Sequence, residues 1–254
     1  MSDKEVERRR YEERARAALE SGDPERFRGG ATAIPPVLRG PYLAYEDAAR
    51  RNLGQRVRAL EIGAGTGFHT RILVERGAEV VATDIAAGAL SMLARAFGDL
   101  PRGRLMTTTC DMESLPFRDG AFDVVASAGS LSYGDPGSVD SEIVRVLRRG
   151  GNFICVDSLN HNPIYRLNRW LHLRRGHRSE STIRRIPDLP RIASFSRYFE
   201  AVEVRYFGGF TWVMPVIAPL IGSARAAVLS DWLDRCFRVE RSAFKFVLVA
   251  RGRR

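Results

Sequence analysis

Residues 59–68 read Ala-Leu-Glu-Ile-Gly-Ala-Gly-Thr-Gly-Phe. An apolar run that carries one acid enters a Gly-x-Gly-x-Gly turn, and helical periodicity follows over 67–76. Glycines at alternate positions let the chain turn tightly and let a ligand approach the backbone. The first N–H groups of the next helix have no partner within it and favour the negative end of a ligand. A strand, this turn and a helix together predict a βα unit with a ligand-binding edge.

The rest of the chain repeats the pattern. Strands are expected at 57–62, 79–84, 104–109, 122–127, 152–157, 201–207 and 244–250, with helices at 67–76, 87–97 and 137–149 between the first five. Strands alternating with short helices imply right-handed crossovers and a largely parallel sheet. The predicted fold is α/β: a Rossmann-like seven-stranded, mostly parallel sheet with flanking helices, a helical N-terminal lead-in and helical insertions on the substrate side. Residues 1–55 are read as the lead-in. They hold a charged helix over 1–20, a break at Ser21-Gly22-Asp23-Pro24, a loop-like stretch over 29–41 and a helix over 42–53. Residues 56–254 are read as the main domain, with insertions at about 158–200 and 208–242.

Four further segments sit where chemistry is expected. Asp84 ends the second strand, 19 residues after Gly65, a spacing that suits a carboxylate receiving a ribose diol. Cys110-Asp111-Met112 follows the third strand and leads into Leu115-Pro116-Phe117. The fourth strand runs into Ala128-Gly129-Ser130, and Arg145 to Gly151 reads as a helix end with a glycine stop. A dinucleotide fingerprint would place its third glycine where Phe68 stands.

Taken in order, these pieces resemble the class I S-adenosylmethionine (SAM)-dependent methyltransferases, in the large group with a Leu-Pro-Phe turn. The resemblance covers about 56–157; Arg149 departs from it, standing where relatives usually carry proline. It implies that Gly63, Ala64, Gly65 and Gly67 wrap the methionine part of SAM with Glu61 nearby. It further implies that Asp84 binds the ribose, that Ile85 and Met112 flank the adenine, that Asp111 meets its amine, and that Ala128 and Gly129 close near the sulfonium. Segments 130–135 and 160–163 also resemble methyltransferases of bacterial sugar and glycan biosynthesis. The expected activity is methyl transfer to a small molecule or a sugar or glycan, as O-methylation. RNA methylation and a non-catalytic SAM-binding role are the alternatives.

A hydroxyl acceptor benefits from a general base. His161, four residues past the fifth strand, is the first candidate, followed by Tyr133 and His172. His69 reads as a helix-start residue. No metal is expected.

Net charge is +10, which would suit a polyanionic partner. Of the 40 basic residues only Lys4 and Lys245 are lysines, so a coding bias towards arginine tempers that reading. Segment 158–191 nevertheless carries eight arginines (Arg166, Arg169, Arg174, Arg175, Arg178, Arg184, Arg185 and Arg191) against Glu180 and Asp188. It reads as a basic lid for an anionic or lipid-linked acceptor, or as a solvated face. A nucleic-acid partner is not favoured. Residues 206–224 carry no charge, and Phe210, Trp212, Val213 and Met214 form either a packed cap or an exposed rim for peripheral membrane contact. The charged N-terminus lacks the apolar core of a signal peptide, and Cys110, Cys155 and Cys236 show no C-x-x-C spacing; both point to a reducing cytoplasm.

Overall fold

The central strands are almost wholly apolar because both of their faces are covered. β1 (Arg58–Ile62), β2 (Glu79–Asp84) and β4 (Phe122–Ala128) are buried along most of their length, as parallel strands under two helical layers must be. In this computed structural model, which describes residues 3–20, 30–167, 180–237 and 239–254, seven strands form one sheet in the order β3-β2-β1-β4-β5-β7-β6. β3 is Leu105–Thr109, β5 Leu147–Ser158, β6 Phe199–Phe207 and β7 Lys245–Arg253. Only β7 runs antiparallel to its neighbours, and the edge strand β6 alternates exposed and shielded positions.

Side chains alternate between two cores. Ala59, Val80, Val124, Ile154 and Val247 face α2 (Pro36–Asn52), α3 (Thr70–Glu75) and α4 (Ala87–Ala96). Leu60, Val81, Val125, Phe153 and Leu248 face α5 (Pro136–Val146) and the segment around α7 (Leu189–Ser194). The lead-in contributes α1 (Asp3–Glu20), packed beside α4. α6 (Glu180–Arg184) precedes α7, and α8 (Met214–Ile221) and α9 (Ser223–Cys236) lie between β6 and β7.

Three local expectations change. The loop expected over 29–41 is helical from Pro36. Proline is tolerated at that first helical position, and Arg39 ties the approach by donating to the carbonyls of Thr32 and Ile34. Pro41 lies inside the helix without ending it, because Pro41, Ala44, Tyr45, Ala48 and Ala49 form a buried stripe. The helix expected over 137–149 ends at Val146, and β5 starts at Leu147. Pairing jumps from Phe122–Leu147 to Val124–Asn152, so Gly150, at φ +73°, serves a bulge inside the strand rather than a helix stop. Cys155 is buried, Cys110 is partly buried and Cys236 is exposed at the end of α9.

Candidate cofactor and acceptor site

The glycine turn lies at the carboxyl ends of the parallel strands, the edge where open α/β sheets bind ligands. Gly63, Gly65 and Gly67 all have positive φ, between +56° and +91°. Each meets a different constraint. A Cβ on Gly63 would lie 2.3 Å from that of Ser130, and one on Gly67 would lie 2.9 Å from Leu93 Cγ. A Cβ on Gly65 would meet nothing within 4 Å. Gly63 therefore admits the loop after β4, Gly67 admits α4, and Gly65 borders open space.

That space is a cavity of about 390 Å³. Its walls bring together Gly63, Ala64, Gly65, Asp84, Ile85, Asp111, Met112, Ala128, Gly129 and Tyr133, all expected from the sequence. Asp84 is held rigidly: Oδ2 accepts from the Gly65 amide and Oδ1 from the Ala86 amide, each at 2.9 Å. Burial pushes its carboxyl above the usual range against the pull of those amides. Each carboxylate oxygen keeps further lone-pair capacity, which suits a vicinal diol. Asp111 Oδ1 accepts from the Glu113 amide at 3.0 Å.

The loop after β4 is locked from below. Ser130 Oγ donates to the carbonyl of Ile62 at 2.9 Å and lies 2.7 Å from Ser127 Oγ, while Asp157 accepts from the Leu131 amide. The Leu115-Pro116-Phe117 turn is clasped by α5. Arg145 donates to the carbonyls of Leu115 and Phe117, and Glu142 accepts from the Leu115 amide.

Two expected cofactor residues do not reach the cavity. Gly67 packs on Leu93 and Phe97. Glu61 is buried under the turn, where Thr70 Oγ1 donates to it at 2.6 Å. Burial, opposed by that hydrogen bond and reinforced by the nearby Asp84 charge, raises its carboxyl to about 7.

Of the candidate bases among the described residues, Tyr133 lines the cavity. His161 lies in the loop after β5 and is not among the cavity residues, and His172 lies outside the described residues. Arg169, Arg174, Arg175 and Arg178 also lie outside them. Among the other lid arginines, Arg191 forms a buried two-point bridge to Asp140 and donates to the carbonyl of Leu131, so it braces the loop after β4. Arg184 pairs with Glu180 within α6.

Lys4, Tyr11, Thr66, Phe68, His69, Thr83, Cys110 and Ser130 complete the wall; of these the sequence placed Ser130 in the loop expected to close on the cofactor, and His69 only as a helix-start residue. Lys4 Nζ lies 2.6 Å from both Asp111 Oδ2 and Glu113 Oε2, and the Tyr11 and Tyr133 hydroxyls lie 2.9 Å apart. The rarity of lysine in this chain was a usable signal for Lys4. The His69 ring stacks on Tyr42 with centroids 5.1 Å apart and meets Phe68 edge-on, and its Nδ1 is buried with no hydrogen-bond partner. Burial, then the charge of Lys245, lowers the His69 imidazole to about 4. Lys245 is itself buried, with its ammonium 5.0 Å from the centre of the Tyr42 ring.

Residues 60–155 match the family described as "Methyltransferase domain". The chain is 33% identical over 113 residues to a demethylmenaquinone methyltransferase of Thermobifida fusca, a match covering 44% of this chain and 48% of the relative. It is 29% identical over 147 residues to the sterol 4-C-methyltransferase of Caenorhabditis elegans, covering 54% and 44%. The chain thus spans about half, or less, of the length of these relatives. Geranyl diphosphate C-methyltransferase of Streptomyces coelicolor, solved with geranyl diphosphate and S-adenosyl-L-homocysteine, superposes with a TM-score of 0.58 at 19% identity, covering 84% of this chain and 79% of that one. The complex of a Haloferax volcanii methyltransferase with the Trm112 activator gives 0.62 at 18% identity, covering 96% and 98%. At these identities the structural likeness speaks for the fold. Residues 60–155 thus match a methyltransferase domain, and the glycine turn, Asp84 and Asp111 of that segment gather on one cavity within the fold shared with these methyltransferases.

Proposed function

We propose that this protein binds SAM in the cavity beside Gly65 and transfers its methyl group to a small-molecule acceptor. The observation that carries the reading is the pairing of open space at Gly65 with Asp84, whose oxygens are fixed by two amides and still able to accept from a diol. The cofactor supplies a methyl group already activated on sulfur, so the protein's task is alignment more than activation. Asp84 orients the ribose, Asp111 meets the adenine amine, Ile85 and Met112 give the adenine its apolar faces, and Ala128 and Gly129 border the sulfonium end. The chain divides into a lead-in over 1–55 and a catalytic domain over 56–254, acting in the cytoplasm.

The acceptor is an anionic or lipid-linked small molecule, with a sugar or glycan hydroxyl as the first reading. The segments at 130–135 and 160–163 support it, as does Tyr133 on the cavity wall. Carbon methylation of an apolar acceptor is the second reading, favoured by the names of the sterol 4-C and geranyl diphosphate C-methyltransferases among the similar proteins. His69 is the neutral imidazole on the cavity wall and orients the acceptor. Titration calorimetry with SAM tests the cofactor site, and transfer of labelled methyl from SAM to panels of glycans, lipid-linked sugars, quinones and prenyl diphosphates tests the acceptor. Absence of SAM binding by the folded protein would remove the whole reading.

A further inference from the structure

The uncharged stretch at 206–224 divides into the end of β6, a turn over Thr211–Val213, α8 and the start of α9. Among the described residues no helix is long and apolar enough to cross a membrane. Phe210 and Val213 are partly shielded and Met214 is buried, but Trp212 remains 48% exposed. The exposed surface extends well beyond Trp212. Val216 and Leu220 on α8 are 71% and 82% exposed, and Val228, Trp232 and Phe237 on and after α9 are each more than half exposed. Large apolar side chains collected on two consecutive helices mark a contact surface.

The charges on α9 show what that surface fits. Asp234 is turned inward, its oxygens accepting from the Gly208 amide at 2.5 Å and the Gly209 amide at 3.0 Å. Asp231 is partly buried against Gly40. Arg225 and Arg235 are exposed, with Arg235 beside the half-buried Asp231 at the rim of the face. Arg225, Val228, Trp232 and Arg235 follow one another at spacings of three, four and three, so one helix stripe presents two apolar side chains between two cations. Carboxylates withdrawn, arginines outward, and tryptophans beside aliphatic side chains make a face that matches the headgroup and upper acyl region of an anionic bilayer.

We propose that the outer face of α8 and α9 docks this protein peripherally on an anionic lipid surface. α8 and α9 follow the carboxyl end of β6, which runs parallel to the strands whose carboxyl ends build the cavity. The bound protein would therefore present that edge of its sheet to the lipid. This inference does not rest on methyl transfer, and SAM titration of the same preparations separates a failure of one from a failure of the other.

Co-sedimentation with vesicles of phosphatidylcholine mixed with phosphatidylglycerol, against phosphatidylcholine alone, tests it. Binding is expected to the mixed vesicles, weakening as salt rises. Leu220→Asp should abolish binding, and Arg225→Gln and Arg235→Gln should each weaken it about fivefold, the scale of one cation at such a surface. All three positions are exposed, so melting temperature and SAM affinity should stay unchanged. Equal binding to neutral vesicles, no binding to either, or full binding by Leu220→Asp would overturn the proposal. So would a concentration-dependent dimer in ultracentrifugation that Leu220→Asp dissolves, which would assign the face to a second copy of the chain.

Discussion

Lys4 Nζ lies 2.6 Å from Asp111 Oδ2, joining the first turn of the N-terminal helix to the loop after β3 across 107 residues of sequence. Tyr11, two helical turns further on, meets Tyr133. Both pairs line the cavity, so α1 is one of its walls. Neither pair is deeply buried, and their contribution to overall stability should be small, within about 1 kcal/mol. Their effect should fall on the ligand. The double variant Lys4→Ala/Tyr11→Phe is expected to release SAM about tenfold faster with little change in melting temperature. Stopped-flow displacement checks this; an unchanged release rate would show that α1 does not close the site.

Asp84→Ala should weaken SAM binding by about 1.5–3 kcal/mol, the scale of hydrogen bonds to a charged group. The carboxylate also holds the Gly65 and Ala86 amides, so Asp84→Asn is the companion variant that keeps an acceptor for one of them. Calorimetry on both, with folding checked by circular dichroism, is the measurement. Wild-type affinity in a folded Asp84→Ala protein would remove the residue from the cofactor site.

The glycines should separate stability from binding. Gly65→Val places a branched side chain in open space and should abolish SAM binding, at a backbone cost of about 1–2 kcal/mol for the left-handed conformation. Gly63→Ala drives a Cβ into Ser130 and should cost considerably more stability. Denaturant titrations that rank the two the other way would contradict this packing.

Glu61 gives stability a pH dependence of definite sign. Its carboxyl rises from the ordinary 4.5 to about 7 in the folded chain, so between those values the native state holds a proton that the unfolded state has released. Stability from this group is therefore full below about pH 4.5 and is lost as pH rises through 7. Glu61→Gln, which keeps an acceptor for Thr70, should stabilise the ligand-free protein by about 1–3 kcal/mol at pH 8 and by almost nothing at pH 4.5. Thermal melts across that range decide it.

His69→Phe should raise stability and lower turnover together. It keeps the ring that stacks on Tyr42 while removing the buried Nδ1 that has no partner, and relieving such a group is worth about 1–3 kcal/mol. If His69 orients the acceptor, kcat/KM falls at least about tenfold while SAM affinity holds. Full turnover in the variant would make the ring purely structural. His161→Ala in parallel tests the candidate favoured by sequence position.

The succession of strands and helices, the glycine turn and the place of Asp84 were legible in the sequence because each depends on neighbours close along the chain, while Asp111 and Met112 were reached through the family resemblance. A buried parallel strand must be apolar throughout, a tight turn with positive φ needs glycine, and a carboxylate at a strand end reaches the same edge in every such sheet. What the sequence could not supply was contact between distant segments. It placed His161 by its distance from a strand, whereas the cavity is bordered by His69, whose ring is set by Tyr42 from the lead-in. It counted Arg191 towards a basic lid, but folding sets that side chain against Asp140, and an arginine buried with a carboxylate is a brace. It left 206–224 open between cap and rim, since hydropathy is the same for both. Folding splits the stretch: Met214 is buried and Phe210 and Val213 are partly shielded, while Trp212 and Leu220 stay outside.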